Sequence, residues 1–84
     1  MSIEENQSLL QSIQSSDPEV NIAAVKANQY TEMCKVGQIT GAELIELLQD
    51  IQRTAAIDQS MNDLESLEKL NIAINGLITI AISI

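Results

Sequence analysis

The sequence predicts an all-α fold: a small helical bundle with a central antiparallel helical hairpin and a long apolar C-terminal helix. Three observations predict it. Ser2 with Glu5, and Thr40 with Glu43, form Ser/Thr-x-x-Glu capping boxes that mark helix starts. Asp17-Pro18-Glu19 marks a third start, with a capping Asp, a Pro suited to the first helical position and an acid at the positive helix end. Between these signals, apolar residues recur at steps of three and four. The 84 residues form one helical domain, with helices expected at about 3–14, 18–36, 41–56 and 60–84.

The first helix carries a sparse apolar stripe of Ile3, Leu9, Leu10 and Ile13 among Gln and Ser, and Ser15-Ser16 ends it. In the second, Val20, Ala23, Ala24, Ala27, Tyr30 and Cys34 line one side, and Ile22, Val25, Met33 and Val36 widen that side. Gly37 stands where a C-terminal cap belongs. The short connection at 37–39 makes the second and third helices antiparallel neighbours. The third helix sets Leu44, Leu47, Leu48, Ile51, Ala55 and Ile57 against a charged side of Glu43, Glu46, Asp50 and Arg53. The fourth starts at Ser60 or Asp63.

The fourth helix is apolar almost all round from Leu70 onward. A heptad frame puts Leu64, Asn71 and Ile78 at a, Leu67, Ile74 and Ala81 at d, and Leu70, Leu77 and Ile84 at g. Asn71, Asn75, Thr79 and Ser83 trace one polar line, four residues apart. Two readings of Asn71 and Asn75 stand: they fix the register of an oligomer, or they face solvent on a monomer. Leu77 to Ile84 also alternates β-branched with small residues, as a strand does, but no second strand is on offer. Helix is the expectation there.

Composition removes several functions. There is no His, so imidazole catalysis and His-ligated metal are excluded. Cys34 is the only cysteine, so there is no internal disulfide and no Cys-rich zinc site, and a lone thiol fits a reducing compartment. Tyr30 is the only aromatic residue, which leaves no stacking platform for bases. A net charge of −8 repels phosphate backbones, so no nucleic-acid partner is expected. Glu43, Glu46 and Asp50 share a helical face, but one exposed face cannot cage a hard cation. From Asp58 to Lys69 a calcium-loop spacing begins, then fails: Asp63 stands where Gly is needed and Lys69 where Glu is needed. No glycine-rich phosphate loop occurs. The expectation is a protein that is not an enzyme and uses no cofactor or metal.

The acidic start Met-Ser-Ile-Glu-Glu reads against a secretory leader. The uncharged run from Leu70 to Ile84 is short of the roughly 20 residues that span a bilayer, so it is expected to pack on protein in the cytoplasm. An 84-residue chain buries only about 60–65% of its unfolded surface and has few elements with which to wrap such a helix. A homo-oligomer, dimer to tetramer, is therefore expected. Its interface is placed at Leu64, Leu67, Leu70, Asn71, Ile74, Leu77, Ile78, Ala81 and Ile84.

The stretch Gly37-Gln38-Ile39-Thr40-Gly41-Ala42-Glu43-Leu44, continued through Ile45 to Ile51, resembles the short oligomerisation hairpins of several bacterial and viral proteins. The resemblance covers about a third of the chain, and no functional residue carries over from it. As a whole, the small, acidic, Ile-rich, His-free chain is similar in type to helical accessory and assembly proteins of tailed phages. That resemblance implies a structural or assembly role in a virion or the host cytoplasm. The competing expectations are a small acidic inhibitor or adaptor of a host enzyme, mimicking nucleic-acid charge through Glu43, Glu46 and Asp50, and a small-molecule-sequestering oligomer.

Overall fold

The computed structural model describes residues 2–57 and 63–83. The chain folds into four α-helices: α1 (Ile3–Gln11), α2 (Pro18–Lys35), α3 (Gly41–Ile57) and α4 (Leu64–Ser83). The all-α expectation holds, with helix rather than strand through Ser83. Ser60 and Ile84, and the side chains of Ala55 and Ile57, lie outside what is described.

Each helix starts where side-chain chemistry supplies the orphan donors of its first turn. Ser2 Oγ accepts from Glu5 N at 3.2 Å while Ser2 N donates to Glu5 Oε1 at 3.4 Å. Asp17 Oδ1 accepts from Glu19 N at 3.0 Å, with Pro18 following. Thr40 and Glu43 close the reciprocal box at 3.0 and 3.1 Å. Asp63 caps α4: its Oδ1 accepts from Ser66 N at 3.1 Å.

Helix α1 ends at Gln11, short of the expected 14. At that end the Ser12 hydroxyl donates to Leu9 O at 2.7 Å and Ile13 N donates to Leu10 O at 3.2 Å, a tightened last turn. Ile13 is still buried, from the connection rather than the helix. Helix α2 ends in a Schellman pattern, with Gln38 N on Met33 O at 2.8 Å and Gly37 N on Cys34 O at 3.1 Å. Gly37 takes φ +81°, which a Cβ would strain.

Facing residues establish the topology. Gln7 reaches Glu32 (α1–α2), and Gln52 Nε2 donates to Asn75 Oδ1 at 2.8 Å (α3–α4). Ala23 and Leu47 share a groove (α2–α3), and Asn6 meets Gly76 (α1–α4). Glu4 also pairs with Lys35, and Gly41 lies beside Ala81, so along α1–α2 and along α3–α4 the residue numbers rise on one helix as they fall on the other; with the short 37–39 connection between α2 and α3, this makes an up-down-up-down four-helix bundle. Helix α4 packs against all three other helices, whereas α1 and α3 do not meet among the described residues.

The core consists of Leu10, Ile13, Val20, Ala24, Ala27, Leu44, Leu48, Ile51, Leu70, Ala73, Ile74, Leu77 and Ala81. Three helices of the same chain thus bury one side of α4, at Leu70, Ala73, Ile74, Leu77 and Ala81, and leave Leu64, Ile72 and Ile82 exposed. The chain's accessible surface of 5,028 Å² is close to the roughly 4,900 Å² of a compact 9 kDa monomer. Two close approaches make the wrapping possible. A Cβ on Gly41 would sit 3.2 Å from Ala81 O, and one on Gly76 would sit 2.5 Å from Asn6 Oδ1. Gly76 thus does not end the last helix. It lies mid-helix and lets α1 settle on α4.

Candidate interaction surfaces

The residues expected at an oligomer seam divide into two groups. Leu70, Ile74, Leu77 and Ala81 are buried within the chain. Leu67 and Ile78 are partly buried against the same core. The d and g positions of the heptad therefore do form a seam, but its other side is α1, α2 and α3 of the same chain. Leu70, Ile74, Leu77 and Ala81 could face a second copy only if the bundle opened. Leu64 is exposed, Asn71 is half-buried, and Ile84 lies outside the described residues. Asn75 faces solvent and accepts from Gln52 of its own chain. What remains outside on α4 is Leu64, Glu65, Glu68, Lys69, Ile72, Asn75, Thr79, Ile82 and Ser83, in which the exposed apolar residues Leu64, Ile72 and Ile82 are separated by polar ones.

Glu43, Glu46 and Asp50 are all exposed on α3, as expected from their spacing. They are unequal in availability. The Glu43 carboxylate accepts from Thr40 N in the capping box. Asp50 pairs with Arg53 one turn on, which offsets its charge. Asp50 also borders a groove between α2 and α3, together with Glu19, Ile22, Lys26, Tyr30 and Leu47. That groove holds about 190 Å³, and a second hollow beside Cys34 and Ile80 holds about 90 Å³. Both fall below the roughly 300–1,000 Å³ of small-molecule sites.

Two polar clusters join elements far apart in sequence. In the first, Gln7 is buried between α1 and α2; its Nε2 donates to Glu32 Oε1 at 2.9 Å and its Oε1 accepts from Lys35 Nζ at 3.2 Å. The Gln7 amide first, then Lys35, holds the Glu32 carboxyl below its ordinary value. In the second, Asn21 clasps the Ser15 backbone with two bonds of 2.9 Å, and Ser15 Oγ donates to Asp63 Oδ2 at 2.9 Å. The Ser66 backbone N–H, its hydroxyl and the Ser15 hydroxyl hold the Asp63 carboxyl below its ordinary value.

The surface that the sequence reading missed lies on α2. Ile22 and Val25, expected to widen the core-facing side, are instead 48% and 56% exposed. Val36 is exposed too, and Thr31 is buried in their stead, with its hydroxyl on Ala27 O at 2.8 Å. The correction is angular. α1, α3 and α4 bury the Val20–Ala24–Ala27–Thr31 line of α2 and partly cover Ala23, Tyr30 and Cys34 beside it, as expected, while Ile22 and Val25 fall outside that arc. Val25 borders a groove between α1 and α2 of about 700 Å³. Its other lining residues include Gln11, Gln14, Asn21, Asn28 and Gln29, and no charged side chain lines it. A signal for this face existed in the sequence: Asn6 to Ser16 is a run without one charged residue.

Among the described residues, no helix is long and apolar enough to cross a membrane. Comparison with protein families, with characterised proteins and with solved structures finds no match to this chain.

Proposed function

We propose that this protein is a non-catalytic protein-interaction module of the assembly or adaptor kind, and that it binds through the outward face of α2. The observation that carries the reading is the exposure of Ile22 and Val25 beside grooves on both sides of α2. These side chains stand about half outside the bundle, and a protein partner would bury the rest. The acidic line of α3 supports a charge-mimic reading less well, because Glu43 is engaged in a cap and Asp50 in an ion pair.

A photo-activated cross-linking residue placed at position 25, and at position 65 as a control, tests the proposal. Adducts to protein from 25 and not from 65 are expected. Equal yields from both positions, or none from 25, would overturn it.

A further inference from the structure

We infer that Asn75-Gly76 is a self-modification site, at which the chain deamidates to aspartate or isoaspartate when α4 opens and is protected while α4 is folded. The inference stands apart from the interaction-module reading above. Of the asparagines at 6, 21, 28, 62, 71 and 75, only Asn75 precedes a glycine. With no side chain on residue 76, the attack of its nitrogen on the preceding side chain is the least hindered of the six. The Gly76 nitrogen bonds to Asn75 Cγ and the Cγ–Nδ2 bond breaks. The Gly76 N–H proton leaves with that amide nitrogen as ammonia, and a five-membered imide remains. Water then opens the ring. Addition at Cγ restores the ordinary peptide bond and leaves an aspartate. Addition at the main-chain carbonyl carbon breaks the original peptide bond and leaves isoaspartate, with Cβ now part of the main chain.

The packing explains why so labile a pair sits in the middle of a helix. A Cβ on residue 76 would lie 2.5 Å from Oδ1 and 2.9 Å from Cγ of Asn6, which is wholly buried, so the crossing of α1 over α4 favours glycine. The fold also holds the pair inert. In α4 the Gly76 N–H is committed to the carbonyl four residues back, and the helical backbone keeps that nitrogen away from Asn75 Cγ. The Asn75 amide is held across to α3, its Oδ1 accepting from Gln52 Nε2 at 2.8 Å. The turn around Asn75 must therefore unwind before the ring can close, and the rate follows the open fraction. The two products differ in consequence. Aspartate still offers Gln52 an acceptor from an ordinary helix. Isoaspartate lengthens the main chain next to Gly76, shifts the helical bonding across it and moves Gly76 off Asn6. Deamidation to isoaspartate thus loosens α1 from α4 irreversibly.

Incubation of the full chain in buffer and in urea at one pH, followed by peptide mass spectrometry that separates aspartate from isoaspartate, tests this. In urea, Asn75 should convert before every other asparagine, and Gly76→Ala should slow it. In buffer, conversion at Asn75 should be more than about tenfold slower than in urea. Ile74→Ala, which raises the open fraction, should speed it at least about tenfold in buffer. The purified isoaspartate product, returned to buffer, should melt below Asn75→Asp. Equal rates in buffer and urea, an earlier conversion at another asparagine, a rate in urea unmoved by Gly76→Ala, a rate in buffer unmoved by Ile74→Ala, or an isoaspartate product as stable as Asn75→Asp would each overturn the inference.

Discussion

Ser15 Oγ donates to Asp63 Oδ2 at 2.9 Å, and so ties the α1–α2 connection to the cap of α4 across 48 residues. The same carboxylate accepts from the backbone N–H and hydroxyl of Ser66. One side chain therefore starts a helix and fixes where the preceding hairpin lies on it.

This junction gives the bundle an acid sensitivity of definite sign. The Asp63 carboxyl titrates below its ordinary 3.8 in the folded chain. Its contribution is complete above that value and is lost as pH falls through the lower, folded one. Asp63→Ala should lower the thermal midpoint at pH 7, and the gap to the unaltered chain should close below about pH 3.8. Thermal melts across pH, followed by circular dichroism, measure it; a gap that persists or widens in acid would contradict the role given to Asp63.

Gly76→Ala should destabilise the bundle by about 1–3 kcal/mol, although alanine favours helices, because its Cβ would meet Asn6. Asn6→Ala removes the obstacle, so the double variant should lose less than the sum of the single losses. Urea unfolding of the four proteins checks this cycle.

Position on α4 decides the cost of truncation. Ile74→Ala should cost about 2–5 kcal/mol, since Ile74 is wholly buried within the chain. Ile72→Ala, half-exposed two residues earlier, should stay within about 0.5 kcal/mol of the unaltered chain. Similar losses at both positions would mean that α4 is enclosed on every side by something beyond its own three helices.

The helix starts were legible because capping is local: Ser2, Asp17, Thr40 and Asp63 each act within three residues of themselves. The seam of α4 was legible as a pattern and illegible as a partnership. A heptad specifies that Leu70, Ile74 and Leu77 face something apolar, and both a second copy and α1–α3 satisfy it. The decision lay in Gly41 and Gly76, whose missing Cβ atoms let neighbours approach α4, and no periodicity in a single helix reports that. Ile22 and Val25 were misplaced for a related reason. Apolar type predicts burial only where a neighbouring element covers that arc of the helix, and α1, α3 and α4 leave the Ile22 and Val25 arc of α2 open.

That α4 is covered within one chain is tested most directly by urea unfolding of the unaltered chain over about a hundredfold range of protein concentration. A folded, helical 9.1 kDa species is expected, with a midpoint that does not move with concentration. A midpoint that climbs with concentration, or helix lost on dilution, would show that α4 needs a second copy to be buried, and would contradict the self-contained bundle.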